Sequence, residues 1–99
     1  MSYTLHWTPE AARTLKQNLD YLEEEWDEQV INNFLDRVEE VLENIKANPQ
    51  LYPLHRPKDN VRRCAVHKRV ILHYKIVDDM HIHLLTFWNT YQDPNKLKV

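Results

Sequence analysis

Residues 62–74, "RRCAVHKRVILHY", decide how the chain folds. Four Lys/Arg side chains and two histidines are set among aliphatic residues whose spacing becomes regular after the middle. From Arg69 onward, Val70, Leu72, Tyr74 and Ile76 alternate with Arg69, Ile71, His73 and Lys75. A period of two marks a strand with one covered and one open face. Residues 61–66 read as the strand before it, where either Arg62 or Arg63 must share a face with apolar neighbours. The arginine on the covered side is expected to carry its head past the sheet edge. Asp78-Asp79 marks a turn, and residues 81–88 read as the next strand. A two-residue loop there would place His81 and His83 on the apolar face. One residue more sets Ile76 beside Ile82, Tyr74 beside Leu84, Leu72 beside Thr86 and Val70 beside Trp88. That register keeps the apolar face continuous and is the expected one. Its other face carries Arg69, Ile71, His73 and Lys75 alongside His83, Leu85, Phe87 and Asn89.

Upstream the period is helical. Tyr3, Leu5 and Trp7 first alternate with Ser2, Thr4 and His6 as a short strand. Thr8 then supplies an N-cap, Pro9 the first helical position and Glu10 a charge suited to the dipole. Ala12, Leu15, Leu19, Leu22 and Trp26 make one apolar stripe. Asp27 caps a second helix striped by Ile31, Phe34 or Leu35, Val38, Leu42 and Ile45, which Asn48-Pro49 stops. "EEEWDE" reads as a solvated corner between the two, so the helices fold back as an antiparallel hairpin. Residues 48–60, with three prolines, read as a connecting loop with Leu51 and Tyr52 against the core. Trp7 and Trp26 read as packing aromatics. The expected fold is α+β and a single domain over residues 1–99. It has an N-terminal strand, a helical hairpin and a three-stranded antiparallel meander, with the helices on one sheet face.

Composition narrows the functions available. The hydrophobic fraction of 42% suits a folded domain, and no apolar run approaches the roughly 20 residues of a membrane span. A single cysteine, Cys64, leaves no disulfide framework or cysteine zinc cluster, and with no secretory pattern in the first residues it suits a cytoplasmic setting. With no glycine, phosphate loops and dinucleotide fingerprints are absent, so no cofactor is expected. His81 and His83 point the same way on a strand, but no zinc spacing accompanies them and no metal is expected. Residues 1–48 hold 4 Lys/Arg against 11 Asp/Glu, a balance of −7; residues 49–99 hold 9 against 4, a balance of +5. This split within a net charge of −2 points to one face that meets an anionic partner.

The order of these elements, with "TPEA" opening the first helix, the Arg-rich strand, the hydrophobic strand closing on Tyr74, and Asp93-Pro94 after the last strand, resembles the RelE/ParE superfamily of toxins from type II toxin–antitoxin (plasmid stabilisation) modules. The resemblance covers nearly the whole chain. It implies a growth-inhibiting toxin neutralised by a cognate antitoxin, with operator DNA bound only through the antitoxin complex. RelE-like members are mRNA nucleases acting on the ribosome through basic and aromatic residues of the sheet face. ParE-like members poison DNA gyrase without a hydrolytic site. Nuclease members often carry an arginine three residues before the tyrosine that matches Tyr74; here that position is Ile71, with Arg69 one pleat earlier.

Metal-free RNA cleavage needs an acid, a base and cations for the developing phosphorane charge. His73 or His83 could move the proton. Arg62, Arg63, Lys68 and Arg69 could hold phosphate, and Tyr91, Trp88 or Phe87 could stack a base. The expected catalytic set is His73, Arg69 and Tyr91; Arg62, Arg63, Lys68, His83 and Trp88 are the expected RNA- or target-binding residues. An acidic antitoxin segment would be drawn to the same cations. The expected reaction is ribosome-dependent mRNA cleavage, with gyrase inhibition or a non-toxic binding module as the alternatives.

Overall fold

A computed structural model describes residues 3–25 and 27–97, so the readings that rest on Ser2 and Trp26 lie outside the described residues. The element order is β1 (Thr4–Trp7), α1 (Pro9–Glu25), α2 (Glu28–Ala47), β2 (Leu54–Arg56), a 3-10 turn (Pro57–Asp59), β3 (Val61–His67), β4 (Val70–Ile76), β5 (His81–Asn89) and a second 3-10 turn (Pro94–Lys96). The strands form one sheet in the order β1-β5-β4-β3-β2. β1 runs parallel to β5, and the other pairs are antiparallel. The helical hairpin lies on one face, so the α+β architecture is as expected.

The caps do what their residue types allow. Thr8 Oγ1 accepts from Ala11 N–H at 3.1 Å and donates to the Leu84 carbonyl at 2.7 Å, so one side chain starts α1 and ties it to β5. Asp27 Oδ1 accepts from Val30 N–H at 3.0 Å and starts α2. The core between helices and sheet is built from Leu22, Phe34, Val38, Val41, Ile45, Leu72, Tyr74, Ile82, Leu84 and Phe87. Tyr74 is fully buried and its hydroxyl donates to the Pro49 carbonyl at 2.6 Å, which fixes the end of α2 over the sheet.

Five details depart from the sequence reading. The segment 48–60 contains β2, a three-residue strand paired through an irregularity with β3, so the sheet has five strands. Leu51 is exposed rather than packed, while Tyr52 is partly buried. Trp7 is 44% exposed, although its ring stacks on Phe87 at 5.7 Å. On α1 it is Ala11 that is buried and Ala12 that is exposed. Thr14 and Asn18, which lie outside the expected stripe, are buried beside Ala11 and Leu22 on that face.

The fifth departure is the β4–β5 register. Ile76 opposes Ile82 and Tyr74 opposes Leu84, as expected, but Leu85 is then bulged out. Beyond it His73 opposes Thr86, Leu72 opposes Phe87, Ile71 opposes Trp88 and Val70 opposes Asn89. The bulge turns Phe87 inward, where it is 1% exposed, and puts Trp88 on the open face. Its physical reason is chain geometry: β1 ends beside Leu84, and the rest of β5 is met by α1 instead of a strand. Asn18 Nδ2 donates to the Phe87 carbonyl and Phe87 N–H donates to Thr14 Oγ1, both at 2.9 Å. These bonds satisfy an edge that would otherwise be left unpaired.

Candidate functional site

The face of the sheet away from the helices carries Arg63 on β3, Ile71, His73 and Lys75 on β4, and His83 and Trp88 on β5. Its centre is closed. His73 lies directly between Arg63 and Thr86 in the ladder and is 2% exposed. The His55 ring from β2 covers it edge-on, with centroids 4.6 Å apart. Nδ1 of each ring is buried without a hydrogen-bond partner among the described residues. Burial, then the adjacent His55 and the Arg63 guanidinium, push His73 down to about 4, so it is neutral at pH 7. His55 is lowered for the same kind of reason, burial first and then Arg63 and Arg56.

The structure splits the expected catalytic set. Arg69 and Tyr91 come together: the guanidinium sits 4.5 Å from the centroid of the tyrosine ring, and Thr90 N–H donates to the Arg69 carbonyl at 2.8 Å. His73 is four residues along β4, about 13 Å away at strand rise. Lys68 is exposed at the β3–β4 turn. Trp88 and Tyr91 line an open polar cleft of about 910 Å³ that α1 and the segment after β5 enclose, with Arg13, Gln17 and Lys96 on its walls.

His83 stands at the other end of the open face. It is opposite Lys75 and packs edge-on against His6 of β1 at 5.5 Å. His6 in turn lies 5.1 Å from His81, whose Nδ1 meets Asp78 at 3.0 Å. Among the described residues no group of three His, Cys, Asp or Glu side chains is arranged to hold a metal ion. Arg62 is on the covered face opposite Tyr74, and its Nη1 donates to the Tyr52 carbonyl at 2.7 Å and the Gln50 carbonyl at 3.3 Å. It is the arginine on the covered side, and its head holds the loop. Of Arg62, Arg63, Lys68 and Arg69, it is therefore Arg63 and Lys68 whose side chains turn outward with no ion pair or hydrogen bond among the described residues.

Two residues at this face have no functional role in the sequence reading. His55 was hidden because a three-residue strand between prolines carries no period. His6 alternates correctly in β1, but nothing local shows that β1 lies beside His81 and His83.

A family model for the ParE toxin of type II toxin–antitoxin systems (parDE) matches residues 5–94. The chain belongs to the ParE toxin family. Solved structures share its fold at low identity. The DinJ–YafQ toxin–antitoxin complex from E. coli aligns with a TM-score of 0.64 at 12% identity, covering 92% of this chain and 96% of that one. The chromosomal ParDE system from P. aeruginosa aligns at 0.60 with 19% identity, covering 89% and 96%. The YoeB dimer from Staphylococcus aureus aligns at 0.60 with 15% identity, covering 89% and 97%. No curated protein matches the chain significantly. Membership makes this ParE-family chain the toxin of a type II toxin–antitoxin system, whose partner is an antitoxin. No helix among the described residues is long and apolar enough to cross a membrane.

Proposed function

We propose that this toxin arrests growth by occupying DNA gyrase, without cutting a nucleic acid, and that a cognate antitoxin releases the block. One observation carries this reading: the ring that a nuclease centre on the open face would use as acid or base, His73, is 2% exposed beneath His55. A group that takes a proton from a ribose hydroxyl must come within hydrogen-bond reach of it. Ile71 where nuclease relatives tend to carry arginine, and Arg62 bound to the loop carbonyls, agree with it. Gyrase as the target follows from the ParE-like resemblance. Repression of the operon would then run through the toxin–antitoxin complex on operator DNA.

Ribosome-dependent mRNA cleavage is the second reading, favoured by the Arg69–Tyr91 pair at the rim of a cleft that Trp88 also lines. There a cation and two aromatic rings could hold a phosphate and stack bases. Induced expression separates the two. Trapped gyrase–DNA breaks and an SOS response with full-length mRNA are expected. Rapid cleavage of mRNA within A-site codons, with intact chromosomes, would overturn the gyrase reading.

A further inference from the structure

β2 is the edge strand of the sheet, and with the 3-10 turn after it forms a strap held to β3 by few bonds. β2 pairs with β3 at Leu54–Arg62 and Arg56–Val61 only, across an irregularity, and Arg63 N–H donates to the Pro53 carbonyl at 3.0 Å. The strap's far end turns at Asn60, whose φ of 57° is the left-handed conformation that asparagine tolerates. What it presses onto the face is the imidazole of His55, against the imidazole of His73. We propose that residues 54–59 form an acid-released latch, shut by the contact between His55 and His73 and opened when that pair takes up a proton.

The charged groups around the pair all work against protonation, and only the backbone of Ile71, hydrogen-bonded to His73, works the other way. Arg63 faces His73 across the β3–β4 ladder, Lys75 lies two residues along β4 on the same face, and Thr86 from β5 is uncharged. Arg56 adjoins His55 on the strap, and the acid beside it, Asp59, is already paired with Arg56. Among the described residues no carboxylate forms an ion pair with either ring. Two neutral imidazoles pack edge-to-face at only the modest cost of two unpartnered Nδ1 atoms. An imidazolium in the same place is a buried charge with no counter-ion, beside a second ring and a guanidinium.

Release must come from the strap. His73 is held in the middle strand of the sheet, whereas His55 is partly exposed on a three-residue edge strand. Arg63 is already exposed, so opening brings His73 to solvent beside it and acidification adds a second cation to the centre of the face. The latch is independent of the target the face meets.

Backbone amide exchange between pH 7 and pH 4 tests the latch. Arg63 N–H reports the strap, and the amides shared by β4 and β5 report the sheet. His73 held at about 4 in the closed form, against about 6.5 for free imidazole, makes opening about 100-fold more favourable at pH 4 than at pH 7. The Arg63 protection factor is expected to fall by that order while the β4 and β5 amides keep theirs. In His55→Phe, which keeps a ring in place with one titrating group fewer, the loss should shrink; in His55→Phe/His73→Phe it should vanish. Loss of β4 and β5 protection in the same step would mean plain acid unfolding and overturn the latch. So would an undiminished acid step in the double variant. Should the variants not fold, the comparison of Arg63 with the sheet amides in the unaltered chain decides alone.

Discussion

Tyr74 closes the stretch of sequence that carries the family resemblance, and its hydroxyl is a structural donor. It is fully buried, and burial pushes it well above the ordinary phenol range, so it stays protonated and donates to Pro49. Tyr74→Phe removes the donor and leaves a buried carbonyl unpaired. The expected cost is about 1–2 kcal/mol, measured as a lower urea midpoint with an unchanged slope. Arg62 shows how a side chain read as a phosphate ligand can belong to the scaffold. Its strand has two adjacent arginines on opposite faces, and only the tertiary position of the loop at residues 50–52 decides which one finds carbonyls. Arg69 and Tyr91, 22 positions apart in the chain, were each singled out by residue type; their stacking could be known only from the fold.

At the level of elements, the contact between α1 and β5 carries the most information. A strand that loses its neighbour halfway along needs other partners for its backbone, and here polar side chains of a helix supply them. Thr14 and Asn18 break the apolar stripe of α1 for this reason. Thr14→Val should orphan the Phe87 amide and Asn18→Leu its carbonyl. Each is expected to destabilise the domain by about 1–3 kcal/mol, read from thermal melts, with the double variant losing less than the sum. The strand periods, the helix caps and the first half of the β4–β5 register were legible because they depend on neighbours within a few residues. The Leu85 bulge was not. It depends on where β1 stops, and that is set by a parallel pairing between residues separated by most of the chain.

Across the whole molecule, that parallel pairing joins the two ends of the sequence. β1 contributes Leu5 beside Ile82, and the chain then enters α1 through Thr8, which bonds to Leu84. A chain starting at residue 8 loses the strand and uncovers one side of β5. For a domain whose total stability is on the order of 5–15 kcal/mol, this should abolish the cooperative thermal transition in circular dichroism. Retention of a sharp transition would show that the meander and hairpin suffice. By itself the sequence determined the α+β class, the helical hairpin, the three consecutive strands, the acidic and basic halves and the toxin resemblance, because periodicity, caps and charge are local properties. Only the tertiary structure decided the fifth strand, which of two adjacent arginines faces outward, and the cover that His55 places over His73. Those outcomes depend on backbone pairings and desolvation between distant segments, and no local pattern encodes them.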